Sequence, residues 1–204
     1  FISYSNSAIW RCLGYSLIMA ITINGTGTIT GISVGGLPDG IVDTDMIAAA
    51  AVTAPKRGAG AILQVVQGTY STEVESTTTS FVDTGLSQAI TPLKSGSEFL
   101  VLINQHISLS RASTSQGASL KLLQDSTARY TPTEDWQFYI YANGATNVSW
   151  RGNIYLASKH AHGISAGTST TYKTQVDLHH SSNSGKVELQ KNSLASMITI
   201  MEIA

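Results

Sequence analysis

The sequence predicts an all-β protein with one principal domain. From about Ile62 to the last residue, short apolar runs alternate with polar residues and are separated by loops rich in Ser, Thr, Gly and Asn, a pattern typical of half-buried strands. Charged residues make up only 12% of the 204 residues, against about 25% in ordinary soluble domains. Hydroxyl side chains take their place, and these favour strands and turns over helices. We therefore assign residues 61–204 to a β-sandwich head domain.

The first 18 residues form a mildly apolar segment that Arg11, Gly14 and Ser16 interrupt. The segment is too short and too mixed for the roughly 20 apolar residues of a membrane helix, and no basic region precedes it as in a signal peptide. Because Met19 begins a run typical of a natural protein start, we interpret residues 1–18 as an N-terminal extended arm or extension. Its aromatic residues would suit docking onto a neighbour.

The sequence of residues 19–60 predicts a short connector. The run ITINGTGTITGISV, residues 21–34, favours a strand broken by turns, and the following GG and PDG are turn sequences. Asp43 or Thr44 would cap a short helix through MIAAAAV, which Pro55 ends. Helices shorter than about 12–15 residues are marginal alone, so packing about an oligomer axis would have to stabilise it. We expect residues 19–60 to form a trimerising base or stalk.

Residues 61–204 contain eight to ten predicted strands. In EFLVLINQHISL, the residues Phe99, Val101 and Ile103 fall on one face, and in KTQVDLHH the residues Val176 and Leu178 do so. Strands at this spacing indicate a β-sandwich or jelly roll.

Charge and cysteine content exclude several kinds of partner and framework. The formal net charge is −1 and no Lys or Arg cluster is present, so we predict no nucleic-acid partner, and we predict no membrane insertion. Cys12 is the only cysteine, which excludes an intrachain disulfide framework. Stability must therefore come from packing or oligomerisation.

Four histidines are weak candidates for a metal site: His160 and His162, and the adjacent His179 and His180. Zinc or iron needs three or four convergent ligands, and no HExxH, CxxC or carboxylate cluster accompanies them. We therefore interpret them as exposed loop or strand-end histidines and predict no metal or other cofactor. In a trimer, one histidine per subunit could still converge on the axis.

No catalytic motif is present. The sequence has no Gly-x-Ser-x-Gly elbow, and Cys12 lies in an apolar setting that suits packing. Glycoside cleavage needs two opposed carboxylates, for which Glu73, Glu75, Glu134 and Asp135 are available, but nothing selects one pair. We predict that the protein is not an enzyme.

Aromatic residues concentrate in DWQFYIYANG and SWRGNIYLAS and alternate between two sheet faces. One face must belong to the core, while outward Tyr or Trp could stack on sugar rings or fill an intersubunit contact. The candidates for surface recognition are Trp136, Tyr139, Tyr141, Trp150 and Tyr155.

The run MAITINGTGTITGISVGGLPDGIVDTDMIAAAAVTAPKRGAGAILQVVQ, which begins at Met19, resembles the N-terminal part of small virion proteins of tailed bacteriophages of the tail-fibre or fibre-like type. The short strand, the GGLPDG turn and the start of a small Ala-rich helix carry the resemblance. In such proteins these features often link modules about a threefold axis. The remainder, ending in SMITIMEIA, is similar in layout to the jelly-roll or TNF-like heads that cap trimeric phage fibres and decorate some capsids.

The resemblance implies a homotrimeric virion structural protein on the outer surface of the particle, in the tail, fibre or capsid. As a fibre or tip module, its head would present loops to a host surface glycan or protein. As a capsid decoration or cement protein, it would stabilise the shell. Residues 1–60 would contact other virion proteins in either role. From another class, a carbohydrate-binding lectin or a glycan-cleaving spike stays open.

Overall fold

The structure is a computed structural model that describes residues 22–23, 29–30, 51–112, 115–133, 137–142 and 147–204. The chain divides into two units, Phe1–Ala51 and Val52–Ala204. In the first, β1 (Thr22–Ile23) pairs antiparallel with β2 (Ile29–Thr30), within the predicted interrupted strand. The predicted arm over residues 1–18 and most of the predicted helix over residues 46–52 lie outside the described residues.

The second unit is built from strands, which confirms the all-β prediction. Its described residues also include two 3₁₀ turns, Ala54–Lys56 and Lys191–Ser193. No helix in the described ranges is long and apolar enough to cross a bilayer. The strands are β3 (Ile62–Tyr70), β4 (Val74–Ser76), β5 (Val82–Ile90), β6 (Glu98–Ala112), β7 (Gln116–Gln124), β8 (Thr127–Tyr130), β9 (Phe138–Ile140), β10 (Asn147–Ala161), β11 (Thr170–Leu178), β12 (Lys186–Leu189) and β13 (Ser196–Ile203).

These strands form two antiparallel sheets. The first sheet has the order β3-β13-β6-β10, and β4 and β12 continue β3 and β13 along the second half of β6. The second has the order β5-β11-β7-β8, and β9 also pairs with β7. Successive strands from β4 to β7 alternate between the two sheets, and so do β10, β11 and β12. This connectivity is that of a jelly roll. The predicted jelly-roll sandwich is therefore confirmed.

The core lies between the two sheets. Phe99, Val101 and Ile103 on β6 are buried on one face, as predicted, and so are Val176 and Leu178 on β11. Burial of each such side chain stabilises the fold by about 1.5–3 kcal/mol. Because strand side chains alternate, the residues between these point to the opposite, outer face of each sheet.

The backbones of β3 and β5 approach each other closely at two glycines. A Cβ at Gly68 would lie 2.8 Å from the Ser87 carbonyl oxygen. Gly85 has φ +84° and lies against the Tyr70 ring, where a Cβ would lie 2.2 Å from a ring carbon. Only glycine fits at such close approaches.

The two ends of the sandwich differ. At the end that we call the terminal end, the backbone N–H of Gly60 donates to Ala204 O and that of Ala204 donates to Ala61 O, each at 2.9 Å. The β5–β6 and β10–β11 connections lie at this end. The last residues of β6, β9 and β11 and the first residues of β7, β10 and β12 lie at the opposite end, which we call the loop end.

Candidate functional site

The outer face of the first sheet is apolar over most of its area. The middle parts of its strands β3, β13, β6 and β10 direct uncharged side chains outward, and several of these are well exposed, Val65 at 52% and Tyr155 at 73%. The outward Glu98, Lys159 and Arg151 lie toward the ends of β6 and β10. We call this surface the apolar face. Its apolar members are Val65, Leu100, Leu102, Tyr155, Ala157, Met197 and Met201.

Strand register aligns these side chains in rows across the sheet. Met197 and Tyr155 flank Asn104, while Thr199 and Ala157 flank Leu102. With strands about 4.8 Å apart and rows about 6.8 Å apart, the twelve positions of four strands and three rows cover about 400 Å², and apolar side chains fill seven of them. Exposed apolar patches of a few hundred Å² are often functional.

Charge is confined to the border of the apolar face. At the terminal end, Lys159 Nζ lies 2.5 Å from Glu98 Oε2, so the two charges neutralise each other. Toward the loop end, Lys186 pairs with Glu75 at 3.0 Å and with Glu188 at 2.9 Å. The centre of the face is therefore easier to desolvate than its rim.

The outer face of the second sheet has the opposite character. Lys173 Nζ lies 2.9 Å from Asp83 Oδ2 and Gln175 Nε2 donates to Asp83 Oδ1 at 2.7 Å. The hydrogen bond from Lys173 is the main cause of a lowered Asp83 pKa, and Gln175 adds to it. Lys121 lies over the Phe81 ring at 5.2 Å. This is an ordinary solvated sheet surface.

Of the first histidine pair, one member is buried, which corrects the expectation of exposed side chains. His162 is 1% exposed and stacks on Phe99 with ring centroids 4.6 Å apart. His160 is half-buried, and its Nε2 lies 2.7 Å from the Tyr172 hydroxyl. Burial first, and then the charges of Arg129 and His162, lower the pKa of His160 to about 4. His160 is therefore neutral at neutral pH.

The second pair, His179 and His180, lies at the loop end with ring centroids 4.0 Å apart. Burial and the nearby His179 and Arg111 lower the pKa of His180. The two pairs therefore occupy opposite ends and do not meet within one copy. Across the part of the chain that the structure describes, no group of three or more His, Cys, Asp or Glu could hold a metal. A histidine site on an oligomer axis stays a hypothesis.

A buried Ser97, His162 and Glu202 cluster at the terminal end was missed from the sequence. His162 Nδ1 accepts from the backbone N–H of Ile164 at 3.2 Å, so a neutral ring carries its proton on Nε2, which lies 3.0 Å from Ser97 Oγ. A catalytic serine needs the opposite tautomer, in which Nε2 carries no proton and accepts the proton of the serine hydroxyl. All three side chains are at most 1% exposed, so the cluster is structural.

Glu202 fixes the β5–β6 connection. Its carboxylate accepts from the backbone N–H groups of Leu93 and Lys94, from Ser97 Oγ at 2.6 Å and from Gln64 Nε2 at 2.7 Å. Burial alone would raise the pKa of Glu202, but these hydrogen bonds outweigh it and hold the pKa below its usual value. The one sequence signal for this role is a charged residue at an inward position of the alternating SMITIMEIA.

The candidate aromatic residues are exposed but do not form one cluster. Tyr141 is 74% exposed and Tyr139 is 38% exposed, with its ring edge-on to His179 at 6.4 Å. Trp150 is 40% exposed and packs on Phe138 at 4.1 Å. Tyr139, Tyr141 and Trp150 therefore lie toward the loop end, whereas Tyr155 belongs to the apolar face. Trp136 lies outside the described residues.

The carboxylates considered for glycoside cleavage do not form a site in the described residues. Glu75 is half-exposed and bound to Lys186, and Glu73 lies exposed in the β3–β4 connection. Glu134 and Asp135 lie outside the described residues, as does Cys12. The expectation that the protein is not an enzyme stays a prediction.

No known family model matches the chain, and no curated protein matches its sequence. Among solved structures, the VP2 subviral particle of infectious bursal disease virus is 9% identical, with 69% of this chain and 41% of that chain covered and a TM-score of 0.23. T=1 particles derived from the same virus are 13% identical, with 69% and 40% covered and a TM-score of 0.22. The chain thus spans about two fifths of these proteins, and such scores establish no shared fold or function.

Proposed function

We propose that this chain is a bacteriophage virion structural protein that assembles with its own copies through the apolar face. The observation that carries the proposal is the contrast between the outer faces of the two sheets, one with an apolar centre around Leu102, the other bearing the Asp83–Lys173 pair at its centre. The resemblance of residues 19–67 to tail-fibre and fibre-like virion proteins supports the assignment to a phage particle.

The occupant of the apolar face is a second copy of this chain. Its area, about 400 Å², is about half of the roughly 800 Å² that each partner buries in a standard interface. Polar and paired charged residues around the face, such as Asn153 and the Glu98–Lys159 pair, would supply the remainder, as in interfaces with an apolar core and a polar rim. The threefold linkage implied for residues 19–60 makes the assembly a homotrimer.

In this assembly the loop end is the recognition surface. Tyr139, Tyr141 and Trp150 are exposed there, and aromatic rings of this kind bind sugar rings or protein surfaces. The proposed ligand is a host surface glycan or protein, and three linked copies would multiply a weak affinity by avidity. Residues 1–60 would attach the trimer to other virion proteins.

Two experiments test the proposal. Light scattering on the full chain should give three times the monomer mass at micromolar concentration, and a stable dilute monomer would overturn the trimer. Cryo-electron microscopy of intact particles should place the protein at the tail or fibre. Density for the protein on the capsid shell would contradict host attachment and support capsid decoration. Absence of the protein from the particle would overturn the virion assignment.

A further inference from the structure

A shallow cleft of about 370 Å³ opens at the loop end of the first sheet, beside the apolar face. Ser110 on β6 forms its floor, and strand register places Ser149 on β10 and Lys186 on β12 at either side of Ser110. Asn147 and Ser184 complete the polar lining. We propose that this cleft binds an acidic saccharide, which deepens and rests on the proposed host-attachment function.

The lining combines mainly apolar surface with a few polar groups that can bind sugar hydroxyls. The serine hydroxyls both donate and accept, and the Asn147 amide adds two donors and an acceptor. The volume lies within the range of about 300–1,000 Å³ for small-ligand sites. Ser149 and Asn147 are exposed, and no carboxylate lies among the residues that line the cleft. The adjacent Glu75 and Glu188 are paired with Lys186 and Lys191, which limits their repulsion of an anionic ligand.

One arginine lines the cleft, and a second lies on β10 one outward position beyond the lining. Arg111, 8% exposed, lines the cleft and donates to Ser182 O, Ser182 Oγ and Ser115 O. Arg151, the next outward residue after Ser149 on β10, is exposed. Within the described ranges neither arginine pairs with a carboxylate.

Arg151 determines the ligand class. An exposed guanidinium with all donors available matches a carboxylate bidentately, whereas Lys186 is already held by Glu75 and Glu188. Because Arg111 already donates to Ser115 and Ser182, the exposed Arg151 is the cation available to a ligand, which suits a sugar that carries a single carboxylate. A nucleic acid would need a series of such cations. The class therefore includes sialic and uronic acids.

Calorimetric titration of the full chain tests the proposal with 3′-sialyllactose, digalacturonic acid and neutral lactose as probes. We expect one acidic probe to bind at least tenfold more tightly than lactose. Arg151→Gln should reduce that affinity to the level of lactose. Lys159→Gln, on the same strand at the terminal end, should leave it unchanged. The tighter of the two acidic probes identifies the sugar as sialic or uronic.

Three results would overturn the acidic-saccharide site. These are equal or absent binding of all three probes, unchanged affinity in Arg151→Gln, and dissociation of the trimer by Arg151→Gln, which would make Arg151 an intersubunit residue. Light scattering on the same samples separates the two proposals. A monomeric chain that still binds an acidic probe would overturn the proposed assembly while leaving the cleft in place.

Discussion

The two sheets of the sandwich share one core but present different surfaces. On β6, Leu102 points outward between Thr199 and Ala157, and Leu100 lies between Met201 and Lys159, whose charge Glu98 neutralises. On the second sheet, outward positions carry Asp83 paired with Lys173. Both sheets alternate with the same period, so their inward residues account for the fold equally. The outward residues differ, and they distinguish a surface suited to water from one suited to a second copy.

The largest expected effect comes from placing a charge in the apolar face. Leu102→Asp should raise the dissociation constant of the trimer at least a hundredfold, because an unpaired carboxylate buried in an interface costs several kcal/mol. Analytical ultracentrifugation measures it. The matched control is Ser87→Asp, an exposed position opposite Lys173 on the other sheet, which should assemble normally. Equal assembly of both variants would remove the distinction between the faces.

Substitutions at two neighbouring residues of β13 should distinguish an effect on trimer assembly from an effect on the stability of the fold. Glu202→Gln removes the charge that holds Leu93, Lys94 and Ser97, and should lower the free energy of unfolding by about 2–3 kcal/mol. Urea denaturation in the Leu102→Asp background avoids coupling to dissociation. Met201→Ser, one residue away but facing outward, should weaken association more than it weakens the fold. The opposite ranking would contradict the assigned faces.

The inward face should also respond to acid through His160. Its folded pKa is about 4, below the ordinary value of about 6.5, so the unfolded chain binds more protons between these values. Stability from neutral His160 is therefore complete above pH 6.5 and falls as the pH drops toward 4. We expect a loss of about 1–2 kcal/mol, allowing for partial solvent screening.

Urea titrations at pH 7 and pH 4.5 measure this loss. His160→Gln should show a smaller decrease over the same interval, since it lacks the titrating ring but keeps a polar side chain near Tyr172. An identical decrease in both proteins would mean that other groups cause the acid sensitivity.

The smallest expected effect concerns the solvated outer face. Lys173→Ala breaks the pair with Asp83 and should cost less than about 1 kcal/mol, because exposed ion pairs contribute little and salt screens them. Thermal unfolding at low and high salt measures it. Trimer assembly should not change, and dissociation of this variant would show that the second sheet also contacts another copy.

Alternation and composition predicted much of the fold. They predicted strands, the shared face of Phe99, Val101 and Ile103, and a jelly-roll sandwich. They did not predict how β12 and β13 are separated, because Gln190 and Asn192 adopt positive φ values of 51° and 58° there. Glycine is the usual sign of such a conformation, and neither residue is glycine.

The candidate site was less predictable. Exposed Tyr139, Tyr141 and Tyr155 were expected from aromatic alternation. The apolar face was not, because EFLVLIN is apolar at both inward and outward positions, and only the strand partners show that Leu102 faces out. Likewise, nothing near His162 in sequence indicates that its ring packs on Phe99, since that contact depends on the pairing of β6 with β10.

Distances between copies test most directly whether the apolar face is the surface through which copies meet. Spin labels at Ala157→Cys and, separately, at Ser87→Cys would be measured by double electron–electron resonance in a Cys12→Ser background. We expect intermolecular distances that are equal within the trimer and shorter at position 157 than at position 87 by about 17 Å, since sheets pack about 10 Å apart and separations about a threefold axis are √3 times the radius. Shorter distances at position 87, or no intermolecular distance at position 157, would contradict it.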